Sequence, residues 1–78
     1  MKNTTTGLLE SLLQTLDTQE FIAGVQEFDR VTQRQCFLKA LKQLRKADTI
    51  RLHGQEGIKN AVQRIRNAME GEVTPMAN

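Results

Sequence analysis

The stretch from Thr32 to Ala47, TQRQCFLKALKQLRKA, has the pattern of an amphipathic helix with one apolar and one basic side. The apolar row follows the i, i+4, i+7 spacing of a helix face and consists of Phe37, Leu41 and Leu44. The opposite row consists of Gln35, Lys39, Lys42 and Lys46. Thr32 followed by Gln35 matches a capping box, in which each side chain bonds a free backbone N–H. We therefore predict a helix over residues 32–47.

Three further helices are predicted around this one, at about 6–16, 18–30 and 55–70. Asp17 and Glu20 have the spacing of a cap for the second, and Gly71 is at the usual stop position for the last. The second and third helices could form one rod, because neither Arg30 nor Val31 breaks a helix. However, the apolar face of residues 18–30, extended at 3.6 residues per turn, would fall on polar residues at 32, 35 and 39. A break near Thr32 is therefore the better interpretation.

The segment 48–53, DTIRLH, is ambiguous. Ile50 and Leu52 alternate with polar residues, which is typical of a short strand over 49–53. A single strand finds no partner within the chain and would have to pair across a dimer or stay extended. A one-turn helix capped by Asp48 is the alternative. His53 is interpreted as a surface or connector histidine.

The fold class expected from these segments is all-α, a compact bundle of about four short helices in a single domain over residues 1–71. Residues 72–78, EVTPMAN, lack periodicity and are predicted to be a flexible tail. Gly24 in the second helix is expected to permit close contact with a neighbouring helix. The predicted core consists of Leu9, Leu12, Leu13, Leu16, Phe21, Val25, Phe28, Phe37, Leu41, Leu44, Ile58, Val62 and Ile65.

Size and composition limit the function classes. A chain of 78 residues forms a marginal core, so association into a homodimer is one route to added stability. The single cysteine, Cys36, excludes an internal disulfide, fits a cytoplasmic setting and is expected to be a small buried hydrophobe. No Cys/His cluster, phosphate loop or catalytic constellation is present, so we expect no metal, no cofactor and no enzyme activity. No stretch approaches the ~20 apolar residues of a membrane span.

The charge distribution is the informative feature. Residues 1–31 carry two basic and five acidic residues, a net charge of −3, whereas residues 32–66 carry nine basic and two acidic residues, a net charge of +7. Residues 67–78 add −2. A basic block of this kind is what a polyanion needs, because Lys and Arg contacts to phosphate release counterions.

The first functional hypothesis is a small regulatory protein that binds nucleic acid through a basic face on the third and fourth predicted helices. The expected contact residues are Lys39, Lys42, Lys46, Arg51, Lys59, Arg64 and Arg66. A helix-turn-helix with its turn at Gly54 or Gly57 fails, because a site that should be apolar becomes Asn60 or Gln63. The chain has no Tyr or Trp for base stacking.

The second hypothesis is a small adaptor or inhibitor that binds a protein partner. The basic block would then contact an acidic patch, and the leucine-rich first helix, if its own core leaves it partly uncovered, would supply the apolar contact.

Overall fold

The computed structural model describes residues 4–73, with side chains described for residues 4–70. Five helices follow one another: α1 (Thr5–Thr15), α2 (Thr18–Val25), α3 (Arg30–Leu44), α4 (Ala47–His53) and α5 (Gln55–Val73). The predicted all-α class is confirmed, and no strand occurs within the described range. The molecule measures 38 × 32 × 17 Å. Helix axes pack 8–10 Å apart, so the 17 Å dimension corresponds to about two layers of helices.

Helix α3 is the centre of the bundle. It contacts all four other helices, most extensively α5, and α1 also packs against α2. Its buried face contains Phe37 and Leu44, exposed by 2% and 0%. Phe21 of α2 meets Phe37 edge to face, with ring centroids 6.1 Å apart. A two-layer bundle leaves each helix one side to solvent, so α3 has a wide outward side opposite this core.

The predicted core is confirmed in most positions. Seven of its residues are buried and five more are half-buried against them; Phe28 is half-buried but lies outside the core cluster. Cys36 is buried, as expected, and Ala40 and Ala61 complete the centre. The small side chains at 40 and 61 belong to α3 and α5, the two helices in most extensive contact.

The break between the second and third helices occurs earlier than predicted. Helix α2 ends at Val25 and α3 begins at Arg30, so residues 26–29 form a four-residue turn. The N-cap is Asp29, whose carboxylate accepts hydrogen bonds from the Thr32 backbone N–H at 3.2 Å and from the Thr32 hydroxyl at 2.7 Å. The predicted capping box at Thr32 is therefore wrong: Thr32 lies in the first turn of α3 and donates to the cap.

Of the two alternatives for residues 49–53, the strand is wrong and the short helix is confirmed, because these residues belong to helix α4. The backbone N–H of Ile50 donates to the Lys46 carbonyl, and that of Gly54 donates to the Ile50 carbonyl. Ile50 packs against the core while Leu52 is 68% exposed. In a strand these two side chains would share a face, whereas in a helix they diverge by about 160°. The predicted cap at Asp48 is shifted to Lys46, which has no side-chain capping bond.

The last helix and the end of the first helix also differ from simple expectation. Helix α5 continues past Gly71 to Val73, so the predicted stop at Gly71 is wrong. Residues 74–78 of the predicted tail lie outside the described residues. Leu16, just beyond α1, has a left-handed backbone with φ 59°, and its N–H bonds the Leu12 carbonyl at 2.7 Å.

Candidate nucleic-acid interface

All seven predicted contact residues are exposed, but they lie on different elements. Lys39 and Lys42 are on α3, Lys46 precedes α4, and Arg51 is on α4. The remaining three, Lys59, Arg64 and Arg66, are on α5. Whether the set forms one surface therefore depends on the helix faces.

On α5 the basic residues do not form one face. Lys59 and Arg66 are seven residues apart and share a face, whereas Arg64 lies about 160° around the axis from Arg66. Glu70 lies within about 20° and Glu56 within about 60° of Lys59 in the same projection. Counting Glu72, α5 carries three basic and three acidic residues, so its net charge is zero.

Helix α4 is also neutral. Its acidic Asp48 and basic Arg51 lie on adjacent turns, with Oδ1 and Nη1 3.8 Å apart. Both side chains are highly exposed, so this ion pair contributes little to stability. The charge of Arg51 is therefore balanced by the carboxylate of Asp48, and the pair adds no net positive charge to the surface of α4.

The surplus positive charge is confined to α3 and the two residues after it. Residues 30–46 contain six basic residues and no acidic residue. All six are exposed, and none of them forms an ion pair with a carboxylate of residues 4–70. Three of the six, Arg30, Arg34 and Arg45, are absent from the seven residues expected from the sequence. The sequence signal for these three arginines is a segment without Asp or Glu that begins directly after the helix cap Asp29.

The helical projection places five of these six side chains on the outward side of α3, and Lys46 follows the end of the helix. Taking buried Gln33 as the origin, Arg34 and Arg45 lie at about 100–120° and Lys42 at about 180°. Arg30 lies at about 60° and Lys39 at about 240°, at the two margins. The side chains therefore cover roughly half of the helix circumference. We call the outward side of residues 30–46 the α3 basic face.

Two apolar side chains lie in the middle of the α3 basic face. Val31 and Leu38 are 65% and 49% exposed and fall at about 160° and 140° in the same projection. Leu52 on α4 is the third large exposed apolar side chain within the described residues. The leucines of α1 are instead buried or half-buried against the core. Two of the three large exposed apolar side chains thus accompany the basic charge, and none of the three is on the first helix.

Cys36, the single cysteine, is part of the core. Cys36 is 1% exposed, and burial raises the pKa of its thiol, although the charge of Lys39 acts in the opposite direction. A buried, protonated thiol is a poor nucleophile and a poor ligand. Among residues 4–70 no three His, Cys, Asp or Glu side chains come together as a metal site. Between residues 4 and 73 no helix is long and apolar enough to cross a bilayer.

Comparison with known protein families, curated proteins and solved structures finds no match to this chain.

Proposed function

We propose that the protein binds nucleic acid through the α3 basic face. The observation that carries the proposal is the run of six exposed basic residues without an acidic residue over residues 30–46. Residues 30–46 extend over roughly 25 Å at 1.5 Å per residue, which is enough to reach several phosphates of a nucleic acid.

The fold gains little stability from this concentration of charge. Like charges four residues apart on a helix are destabilising by about 0.2–0.5 kcal/mol per pair, and Arg30 and Arg34 have that spacing within α3. Only Lys42 lies in the last turn of α3, where it offsets the helix dipole. Helix α5 also has an exposed side but balances its charges. The surplus on α3 is therefore better explained by a polyanionic partner than by stability.

The proposal predicts a strong dependence on salt. If four of the six basic side chains contact phosphates, the affinity should fall on the order of 100-fold between about 50 and about 200 mM salt. Binding that made no phosphate contacts would release no counterions, and its affinity would not depend strongly on salt.

The experiment compares binding of a mixed-sequence DNA duplex, a single strand and an RNA duplex at these two salt concentrations. The test variant is Arg34→Glu/Lys42→Glu, which reverses two charges in the α3 basic face. The matched control, Lys59→Glu/Arg66→Glu, reverses two exposed charges on α5. Both variants are first checked for a native circular dichroism spectrum and cooperative unfolding.

Loss of binding in the α3 variant with near-normal binding in the α5 variant would support the proposal. Equal losses in both would show that net charge alone governs binding. No binding by the native protein to any of the three nucleic acids, even at about 50 mM salt, would eliminate the proposal.

A protein partner with an acidic surface is the second candidate, and Val31 and Leu38 favour it. Apolar side chains surrounded by basic ones match the usual interface pattern of an apolar centre with a charged rim. In this adaptor or inhibitor function the contact is α3 rather than the leucine-rich α1. Two results together would support this candidate. The native protein should bind no nucleic acid, and its binding to a specific protein partner should be lost both in Leu38→Glu and in Arg34→Glu/Lys42→Glu.

A further inference from the structure

We infer that the nucleic acid is duplex DNA and that the first half of α3, residues 30–38, lies in its major groove. This inference rests on the proposed function and specifies its substrate class. Three observations support it: the turn before α3, the side chains at the centre of the α3 basic face, and the burial of the phenylalanines.

Helices α2 and α3 have the connection of a helix-turn-helix. In that motif two helices are joined by a turn of three or four residues, and the second enters the groove. Here an eight-residue helix and a 15-residue helix are joined by the four residues 26–29, and α1 packs against both. The sequence did not indicate this motif, because the turn contains no glycine and the break was expected at Thr32.

The turn is held by two side chains from its α3 end. Asp29 caps α3 through Thr32. The buried amide of Gln33 donates to the Phe28 carbonyl at 2.6 Å and to the Gln26 carbonyl at 3.3 Å. These bonds fix the first turn of α3 relative to the end of α2. A recognition helix needs this fixed position, because base contacts tolerate little displacement.

The outward strip of residues 31–38 contains the side-chain types that distinguish base pairs in the major groove. Arg34 can bond the O6 and N7 atoms of guanine, Gln35 can bond N6 and N7 of adenine, and Val31 and Leu38 can contact thymine methyl groups. All four are exposed and lie within about 100° of one another around the axis. The strip is about 10 Å long, the length of about three base pairs.

Basic side chains border this strip on both sides. Arg30 lies about 90° from its centre in one direction and Lys39 about 90° in the other. Phosphates line both edges of a groove, so a helix inserted into it needs cations on both flanks. Lys42 and Arg45 continue the positive charge along α3 beyond the strip.

Single strands and RNA duplexes fit this surface less well. Base stacking needs exposed aromatic side chains, but Phe21 and Phe37 are buried and Phe28 is half-buried. The chain has no Tyr or Trp. The major groove of an RNA duplex is too narrow for side-chain recognition. Among nucleic acids, duplex DNA is therefore the one that matches an exposed, basic helix with an apolar centre.

The experiment is selection of bound sequences from a random DNA duplex library by the native protein, followed by affinity measurements on the enriched sequence. The base-contact variant is Val31→Ala/Gln35→Ala, the phosphate-contact variant is Lys39→Ala/Lys42→Ala, and the matched control is Lys59→Ala/Gln63→Ala on α5. All substitutions are at exposed positions.

We expect an enriched motif of a few base pairs. Val31→Ala/Gln35→Ala should reduce the preference for it about 5- to 100-fold without changing the salt dependence. Lys39→Ala/Lys42→Ala should weaken binding to all sequences and lower the salt slope by about 1 for each phosphate that the variant no longer neutralises. The α5 control should change neither.

Failure of this inference differs from failure of the proposed function. Equal affinity for single strands, RNA and duplex DNA, with no enriched motif but with α3-dependent binding, would overturn the inference and leave the proposed function standing. A motif that persists in Val31→Ala/Gln35→Ala would likewise overturn it. Absence of binding to every nucleic acid tested would remove both.

Discussion

The Nε2 atom of His53 lies 2.6 Å from the carbonyl oxygen of Leu13, 40 residues earlier in the chain. The Leu13 carbonyl is one of the last four of α1, which have no partner within the helix. His53 is the last residue of α4, so its side chain joins the ends of two helices. Leu16 and Gly57 are close at the same place: a methyl group at position 57 would lie 3.3 Å from Leu16 Cδ2.

We expect His53→Ala to lower the free energy of unfolding by about 1 kcal/mol, the net contribution of one intramolecular hydrogen bond together with its packing. A carbonyl oxygen can only accept, so the Nε2 atom of His53 carries the proton and donates it to Leu13. Denaturant unfolding followed by circular dichroism measures the change in stability.

His53→Gln is the matched control, because its amide can supply a donor in a similar position. This variant should recover part of the stability that His53→Ala loses. Equal stability of His53→Ala and the native protein would show that the bond to Leu13 makes no net contribution.

Gln33 provides a second prediction. Its Nε2 donates to two backbone carbonyls, while its Oε1 is buried with no partner among the described residues. Gln33→Glu would place a carboxylate against the carbonyl oxygens of Gln26 and Phe28, so we expect a loss of about 2–3 kcal/mol at neutral pH. Protonation restores a donor, so the variant should recover relative to the native protein as the pH falls.

The control for this charge effect is Gln33→Met, which keeps the volume and removes the polar group. It should lose less stability than Gln33→Glu, and its difference from the native protein should not depend on pH. A pH-independent Gln33→Glu variant would contradict the proposed repulsion.

The cap of α3 predicts acid sensitivity. The Thr32 hydroxyl and backbone N–H lower the pKa of Asp29 below its ordinary value of 3.8. A carboxylate whose pKa is lower in the folded state stabilises the fold above the unfolded-state pKa, and the contribution is lost as the pH falls through the folded-state pKa. The difference in stability between the native protein and Asp29→Ala should therefore be constant above about pH 5 and shrink below it.

Thr32→Val isolates the largest cause of this shift. Removing the hydroxyl should move the Asp29 pKa upward toward 3.8, as measured by NMR titration of the carboxyl carbon. An unchanged Asp29 titration in Thr32→Val would mean that the backbone bond alone lowers its pKa.

The sequence predicted most of the fold because apolar spacing is a local signal. The start of α2 follows from the Asp17 cap, and α1 and the start of α5 lie close to the predicted positions. The break before α3 was detected from the change of apolar phase but placed too late. Phe28 has the spacing of the α2 core row, which conceals the turn, and Asp29 lies inside the helix predicted over 18–30 although it is the cap of α3.

The site was less predictable because linear charge density does not specify helix faces. Lys59, Arg64 and Arg66 lie in the basic half of the sequence, yet on α5 they diverge around the axis and are offset by glutamates. The segment 48–53 is too short for alternation to distinguish strand from helix. Likewise, the bond between His53 and Leu13 depends on tertiary contacts that no local pattern encodes.

Gly24 and Leu8 provide the last prediction, since the sequence indicated a close approach at Gly24 and the geometry identifies its partner. A methyl group at position 24 would lie 2.7 Å from Leu8 Cδ2, so a larger residue requires the Leu8 side chain to move. Alanine is favoured over glycine in a helix by about 1 kcal/mol, and displacing a leucine from its rotamer costs about the same. Gly24→Ala should therefore change the free energy of unfolding by less than about 0.5 kcal/mol in the native background.

In a Leu8→Ala background the obstacle is removed, so Gly24→Ala should be stabilising by about 1 kcal/mol. The four proteins of this double-mutant cycle, compared by denaturant unfolding, should give a coupling energy of about 1 kcal/mol. Gly57→Ala is the matched control: its nearest side-chain atom belongs to Leu16, so its effect should be the same with or without Leu8. If Gly24→Ala had equal effects in both backgrounds, the contact between α1 and α2 would not be limited by Leu8, and the glycine at position 24 would need another explanation.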